Sequence, residues 1–247
     1  MSGHSKWATI KRKKGATDAA RAKVWSKLLR FVEVAAREGG GNPDGNPTLA
    51  TAIQKARSAS VTNDNIQRAI KRGTGELQGE AFEEVSYEGY GPAGVAVLVS
   101  CLTNNRNRTS QDVRAAFNGR GGKMAEPGAV AWMFEPKGVV ITTGTSEDDV
   151  FLAAADAGAE DVRVSDETIE VVTAPDALGA VRDALMGAGI TVESSDLTQV
   201  PKSTLPLDES DAKKVLALID ALEELDDVQD VYANFDISDD VLEAVAS

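Results

Sequence analysis

Apolar positions in the first part of the chain recur with the spacing of an amphipathic helix. One stripe at i, i+4, i+7, i+8 and i+11 consists of Val24, Leu28, Phe31, Val32 and Ala35. It predicts a helix that begins near Thr17, a residue type that caps helices, and ends at Gly39. Two shorter apolar lines, which predict two more helices, consist of Leu49, Ile53 and Ala56 and of Ile66, Ala69 and Ile70. The pattern over residues 1–75 therefore predicts a small three-helix bundle.

The periodicity changes after residue 80. The run Val95–Val99 contains no polar residue and predicts a buried strand over Gly94–Leu102. Thr109 is followed three residues later by Asp112, a capping-box pattern that predicts a helix beginning at Thr109. Apolar side chains alternate with other residues at positions 130, 132 and 134, which predicts a second strand over Ala129–Glu135.

Residues 137–200 contain a strand–helix–strand pattern twice. The expected strands are Val139–Thr142, Val162–Val164, Thr168–Val172 and Ile190–Glu193, and the expected helices are Ser146–Ala157 and Asp176–Ala188. This order, βαββαβ, is that of a ferredoxin-like domain, which forms a complete unit by itself. An amphipathic helix at Asp208–Leu225 and an alternating strand at Val231–Ile237 follow, and they do not form a unit alone.

These patterns predict the class and the domain organisation of the chain. We expect an α+β protein of three domains, the first being the helical domain at residues 1–75. Residues 80–135 and 201–240 are each incomplete, so we expect them to form one discontinuous α+β domain. The ferredoxin-like domain at residues 136–200 is then inserted into it.

Charge is distributed very unevenly along the chain. The net charge is −13, yet residues 1–75 carry 15 Lys and Arg against 5 Asp and Glu. Residues 136–247 carry 6 Lys and Arg against 26 Asp and Glu. A basic region joined to an acidic one is typical of a protein that binds a polyanion at one end.

Several classes of function are disfavoured. With one His and one Cys in the chain, a multi-histidine metal centre, a cysteine-based zinc site and an internal disulfide are excluded. Gly89–Gly94 matches G-x-G-x-x-G, but a strand is expected after it instead of the helix that dinucleotide binding needs. No catalytic triad can be assembled from these residues. We therefore expect no enzyme, no metal, no cofactor, no small-molecule substrate and no membrane partner, and a cytoplasmic location.

Basic residues near the N-terminus are the first candidates for binding nucleic acid. In a basic arm that contains one aromatic residue they are His4, Lys6, Trp7, Lys11, Arg12, Lys13 and Lys14. On the expected helices they are Lys23, Lys27, Arg30, Arg68 and Lys71. Lys23, Lys27 and Arg30 fall on one side of the first helix, where we expect an outward-facing basic ridge. A solvated tail is the alternative for the arm, and packing onto the bundle is the alternative for Trp7.

A second basic cluster lies in the body of the chain. It consists of Arg106, Arg108, Arg114, Arg120 and Lys123. The cluster surrounds a strand exit at Thr103–Asn105 and the start of the next helix, a position where backbone amides bind phosphate. Charge balance against nearby acidic residues, which include Glu83, Glu84 and Glu88, is the alternative.

Several segments identify a family. They are Ser2–Trp7, Asn63–Lys71, Tyr87–Pro92, Thr103–Thr109 and Leu225–Asn234. Together they resemble the YebC/PmpR family over nearly the whole chain. The resemblance implies a helical bundle followed by an α+β domain with an inserted ferredoxin-like domain. Bacterial members are usually described as DNA-binding transcriptional regulators, mitochondrial relatives act as translational activators, and some bacterial members look like ribosome-associated factors that relieve stalling.

Three functions therefore remain open from the sequence. The first is a transcriptional regulator that binds duplex DNA, for which Asp64–Arg72 offers a modest recognition helix without a convincing helix-turn-helix spacing. The second is a translation factor that binds ribosomal RNA and the ribosome. The third is an adaptor whose basic region binds an acidic protein. The first two need the same phosphate contacts, so the sequence does not separate them.

Overall fold

The structure is a computed structural model that describes residues 18–144, 146–164 and 168–246. Backbone contacts divide these residues into two compact units. We call residues 18–127 with 213–231 the helix–sheet unit, and residues 128–212 with 232–246 the ferredoxin-like unit. The division into three domains stays a prediction from the sequence.

Three helices open the helix–sheet unit. They are α1 (Asp18–Gly39), α2 (Pro47–Ser58) and α3 (Asn63–Gly73). Their shared core consists of Val32, Ala35, Ala36, Leu49, Ala52, Ile53, Ala56, Val61, Ile66, Ala69 and Ile70. The predicted bundle is thus confirmed, except that Val24 is 45% exposed and lies outside the buried stripe.

Side-chain hydrogen bonds fix the ends of these helices. Asn46 caps α2 through a bond from the Leu49 amide to its Oδ1 at 3.1 Å, and its Nδ2 donates to the carbonyl oxygen of Ala35 at 2.8 Å. The indole of Trp25 donates to the carbonyl oxygen of Ala59, where α2 ends, at 2.8 Å. Both ends of α2 are therefore tied to α1 by polar contacts as well as by the apolar core.

A four-stranded sheet follows in the same unit. Its strands are β1 (Glu83–Tyr90), β2 (Ala96–Thr103), β3 (Lys123–Met124) and β9 (Val228–Ala233), in the order β3-β1-β2-β9. The helix α4 (Arg106–Gly119) and most of the helix α7 (Glu209–Glu223) lie in this unit, as does most of β9. A Cβ at Gly89 would lie 2.7 Å from the ring of Phe117, so this position in β1 needs glycine for α4 to approach the sheet.

The G-x-G-x-x-G segment is a turn between two strands. β1 ends at Tyr90 and β2 begins at Ala96, with a short 3₁₀ helix at Pro92–Gly94 between them. Gly94 takes a left-handed φ of 81°. Because a strand follows the segment, it has no helix N-terminus to aim at a pyrophosphate, which agrees with the sequence argument.

The ferredoxin-like unit has the predicted order of elements. They are β4 (Phe134–Thr143), α5 (Glu147–Asp156), β5 (Ala159–Val164), β6 (Thr168–Thr173), α6 (Leu178–Gly187) and β7 (Thr191–Pro201). The sheet order is β5-β6-β4-β7, and the three strand pairs in it are antiparallel. Its core consists of Val140, Val150, Ala154, Ile169, Val171, Val181, Leu185 and Ile190. The fold is thus α+β with a βαββαβ unit.

Smaller elements complete this unit. The parallel strands β8 (Leu205–Pro206) and β10 (Phe235–Asp236) pair with each other, and α8 (Asp239–Ala246) follows. In the described part of the chain, no helix has both the length and the apolar character needed to cross a bilayer.

The strand predicted at Ala129–Glu135 is wrong. Residues Ala131–Met133 form a 3₁₀ turn, and β4 begins only at Phe134. The turn lets the side chains of Val130 and Phe134 both point inward, while Trp132 is 66% exposed. The alternation of apolar residues therefore came from a helical turn and not from a pleated strand.

Candidate nucleic-acid interface

The predicted basic arm lies outside the described residues. Its binding residues, His4, Lys6, Trp7, Lys11, Arg12, Lys13 and Lys14, therefore stay predictions from the sequence. The remaining candidates all lie in the helix–sheet unit.

A buried carboxylate, Asp227, organises the centre of this unit. Its Oδ1 accepts from Arg30 Nη1 at 3.0 Å, and its Oδ2 accepts from Arg108 Nη2 at 2.7 Å. The hydroxyls of Thr103 and Thr109 also donate to Oδ2, at 3.2 and 2.7 Å. Burial raises the pKa of Asp227, but the Arg108 and Thr109 hydrogen bonds and the two arginine charges outweigh burial and hold its pKa below the usual value. The charged side chain of Asp227, at the start of β9, therefore connects α1, β2 and α4.

The outward-facing ridge expected on α1 is wrong for Lys27 and Arg30. Lys27 Nζ donates to the carbonyl oxygen of Glu223, at the end of α7, at 2.7 Å. Arg30 Nη1 also donates to the carbonyl oxygens of Leu102 at 3.0 Å and Asp226 at 2.8 Å. The carbonyl end of α7 attracts the Lys27 cation, while backbone carbonyls and the Asp227 carboxylate hold Arg30, so both side chains turn toward the protein. Burial lowers the pKa of Lys27 to about 8.

The third ridge residue, Lys23, has a weaker contact with the protein than Lys27 and Arg30. Its Nζ lies 3.7 Å from the carboxylate of Asp226, which is largely exposed. An exposed pair of this length contributes little to stability, so Lys23 can exchange this partner for another anion at small cost.

The helix start predicted at Thr109 is also wrong. α4 begins at Arg106, because Asn105 is its N-cap and its Oδ1 accepts from the Arg108 amide at 3.1 Å. The Thr109 hydroxyl, placed one turn inside the helix, is used for Asp227 instead. Arg108 is engaged by the same carboxylate, which reduces its availability to a ligand.

Two cations on α3 stand apart from these networks. Arg68 and Lys71 are exposed, and within the described residues neither side chain has an ion pair or hydrogen bond. Gln67 is exposed beside them. α2 and α3 are joined by residues 59–62, and Ser60 within that connection takes a left-handed φ of 61°. The helix therefore presents a polar, positively charged face directly after a tight turn.

The second basic cluster is split by the structure. Arg106, Arg114 and Lys123 line one groove of about 640 Å³, while Arg108 and Arg120 do not line it. Charge balance is seen for one of the three, since Arg106 Nε lies 3.4 Å from Glu83. Arg114 and Lys123 are exposed and have no ion pair with any described residue.

Groups that could hold a metal or act as a nucleophile are scarce. Within residues 18–144, 146–164 and 168–246, no three His, Cys, Asp or Glu side chains gather as a metal site. Cys101 is buried in β2, and burial raises the pKa of its thiol to about 12. A thiol with this pKa is inert as a nucleophile at neutral pH.

Comparison with known proteins gives matches along almost the whole chain. Residues 5–76 match the TACO1/YebC protein N-terminal domain, and residues 82–235 match the TACO1/YebC second and third domain. The chain belongs to the TACO1/YebC family. A probable transcriptional regulatory protein of Salinispora arenicola is 57% identical over 245 residues, covering 98% of each chain. A protein of the same description from Dictyoglomus turgidum is 49% identical over 249 residues, covering 100% of each.

A solved structure agrees with the fold. A conserved hypothetical protein from Aquifex aeolicus is 47% identical, with a TM-score of 0.82 over 90% of this chain and 93% of that one. The α+β architecture of this TACO1/YebC chain is therefore shared with a crystal structure.

Two buried acids of this TACO1/YebC protein were missed by sequence reasoning. Asp227 has no local signal, because its arginine and threonine partners come from distant segments. Glu33 is buried in the bundle and accepts from Arg37 at 3.0 Å and Arg72 at 2.9 Å. Its i, i+4 spacing to Arg37 was the available clue.

Proposed function

We propose that this TACO1/YebC protein is a non-enzymatic regulator of gene expression that acts in the cytoplasm by binding nucleic acid through its N-terminal helical region. The observation that carries the proposal is the exposed face of α3, where Arg68 and Lys71 have no ion pair with a described residue. Such cations are free to neutralise phosphates, the main source of affinity for nucleic acid.

The helical region also supports a specific orientation on duplex DNA. A helix, a connection of three or four residues and a second helix form the helix-turn-helix arrangement, in which the second helix enters the major groove. The sequence spacing alone was not convincing for this motif, but residues 59–62 give α2 and α3 a connection of that length. The exposed Gln67 and Arg68 are residue types that read base edges. This supports transcription regulation, the role named for its relatives.

A second candidate function is a ribosome-associated translation factor. The polar groove beside α4 favours it, because proteins that recognise RNA read mostly unpaired nucleotides in loops and bulges. In this case the partners are ribosomal RNA and the ribosome, and α3 contacts phosphates of folded RNA instead of DNA.

Binding by a double variant tests the proposal. We expect Arg68→Ala/Lys71→Ala to bind labelled duplex DNA and ribosomal RNA fragments at least about tenfold more weakly than the wild type, since the variant cannot make two charge-assisted hydrogen bonds to phosphate. The control is Lys202→Ala, which removes an exposed lysine in the ferredoxin-like unit. Equal affinities for the double variant and the wild type would contradict the proposal.

Crosslinking in growing cells separates the two roles. Nucleic acid recovered with the wild-type protein is sequenced and compared with that recovered with Arg68→Ala/Lys71→Ala. Discrete duplex DNA sites that disappear in the variant indicate a transcriptional regulator. Ribosomal RNA positions that disappear in the variant indicate the translation factor.

A further inference from the structure

The groove of the helix–sheet unit has three walls of different chemistry. One is the β1 segment Val85–Glu88, and a second is the segment Lys123–Pro127. The third is a face of α4 formed by residues at i, i+3, i+7 and i+11, which are Asn107, Ser110, Arg114 and Asn118. Because these positions lie on one side of a helix, amide, hydroxyl and guanidinium groups follow one another along the groove.

The size of the groove limits what can enter. Its volume of about 640 Å³ is in the ordinary range of clefts that hold small molecules, about 300–1,000 Å³. A double helix is much wider, since its major groove alone accommodates an α-helix. The occupant is therefore a small group or a single strand.

The charges favour a ligand with both an anionic and a neutral polar part. Arg114 and Lys123 supply cations that have no ion pair with a described residue. The lining also includes two acidic residues, Glu88 and Glu126, of which Glu88 is buried. Acidic side chains would weaken a site for inorganic phosphate alone, but carboxylates accept hydrogen bonds from the amino groups of bases.

The β1 wall of the groove also contains an aromatic residue. Tyr87 lines the groove, and its hydroxyl donates to the carbonyl oxygen of Arg106 at 3.2 Å. This bond fixes the side chain between β1 and the first turn of α4. Aromatic side chains serve as stacking surfaces for unpaired bases.

From this combination we propose that the groove binds an unpaired nucleotide of single-stranded nucleic acid. Arg114 and Lys123 hold its phosphate, and the polar residues of β1 and α4 contact its base. The inference rests on the proposed function and deepens it, because it assigns unpaired nucleotides to the groove and leaves paired phosphates to α3.

The test measures affinity for single and double strands separately. The full-length protein is titrated into labelled RNA and DNA single strands of about 12 nucleotides, and into the duplex of the same sequence. The variant is Arg114→Ala/Lys123→Ala. The matched control is Arg57→Ala/Lys202→Ala, which also removes two exposed cations, neither of which lines the groove.

We expect the groove variant to bind single strands at least about tenfold more weakly, while its affinity for the duplex falls less than about threefold. The control lowers both affinities by equal factors. Ser110→Glu places a carboxylate in the groove and should also weaken the binding of single strands. Arg114→Lys keeps the positive charge and should retain this binding. If the groove variant loses affinity equally for DNA and RNA single strands, the groove contacts the phosphate and the base. If it loses affinity for RNA single strands only, the groove also contacts the 2′-hydroxyl.

An unchanged ratio of single-strand to duplex affinity in Arg114→Ala/Lys123→Ala would overturn the inference and leave the proposed function intact. A wild-type protein that binds none of the probes would overturn the proposed function and the groove inference with it. Circular dichroism of each variant shows that a loss of affinity is not a loss of fold.

Discussion

Arg30 and Asp227 are 197 positions apart in the sequence, yet the guanidinium of Arg30 donates to the carboxylate of Asp227 at 3.0 Å. Arg108 reaches the other oxygen of the same carboxylate at 2.7 Å. The first helix is thereby joined to the junction of β2 and α4 through one acidic side chain. Arg30, one of the three residues predicted to form a basic ridge, is therefore part of the structure of this unit.

Removing the charge of Asp227 should destabilise the helix–sheet unit. Asp227→Asn keeps the shape of the side chain but leaves Arg30 and Arg108 without a counter-charge. Arg108 is partly exposed, so we expect the free energy of unfolding to fall by about 2–4 kcal/mol. Urea denaturation followed by circular dichroism measures it.

The neighbouring residue provides a control. The side chain of Asp226 is 79% exposed and lies 3.7 Å from Lys23. Asp226→Asn should therefore change the free energy of unfolding by less than about 0.5 kcal/mol. Equal effects of the two substitutions would mean that the Asp227 network does not stabilise the fold.

Lys27 should make stability rise with pH in the alkaline range. Its pKa is about 8 in the folded protein, against 10.5 when unperturbed. Between these pH values the unfolded chain binds more protons than the folded one, so the free energy of unfolding increases with pH. Lys27→Met removes this titration and should remove the increase, which we expect to be about 1–3 kcal/mol.

The measurement compares the two proteins at each pH. Cys101 titrates in the opposite sense, because its raised pKa makes stability fall above pH 9, the ordinary value for its thiol. The charge of Lys27 also lowers the pKa of Cys101, so the two titrations are coupled above pH 9. Below pH 9 the thiol is protonated in the folded and the unfolded chain, so the difference in unfolding free energy between wild type and Lys27→Met isolates Lys27 there. A difference that stays constant from about pH 7.5 to pH 9 would show that Lys27 titrates normally.

Cys101 should be unreactive in the native protein. It is fully buried in β2, and burial raises its pKa to about 12. A thiol-specific reagent such as dithionitrobenzoate should therefore react at the rate of unfolding and not at the rate of an exposed thiol. The urea-unfolded protein is the control, and rapid labelling of both forms would contradict the burial of this residue.

The parts of the fold that follow from local periodicity could be predicted from the sequence. The apolar lines through Leu49 and Ile66 gave two helices of the bundle, and both residues are buried. Strand β1 was missed because its first residues, Glu83 and Glu84, are exposed and show no apolar alternation. The helix α8, which lies at the end of the chain, was missed as well.

The candidate site could be predicted only as a set of charged residues. Sequence spacing places Lys27 and Arg30 on one side of a helix, but it does not say which side meets the rest of the protein. The side of α1 that faces the protein is set by Glu223 and Asp227, which bind Lys27 and Arg30. The pairing of β9 with β2 brings these two acceptors close to α1. Contacts between segments so far apart leave no local pattern.

The salt dependence of duplex binding should distinguish structural cations from binding cations. Affinity for duplex DNA falls as the salt concentration rises, so a plot of log affinity against log salt has a negative slope. Each phosphate that a cation no longer neutralises makes this slope less steep by about 0.9. Lys11→Ala/Lys13→Ala and Arg68→Ala/Lys71→Ala should each flatten the slope by this amount for every phosphate that the replaced residues neutralise. Lys27→Met should leave the slope unchanged, because Lys27 Nζ is already bound to the carbonyl oxygen of Glu223. If Lys27→Met instead flattens the slope as strongly as the arm variant, Lys27 must leave Glu223 to contact phosphate, and α1 would then belong to the binding surface.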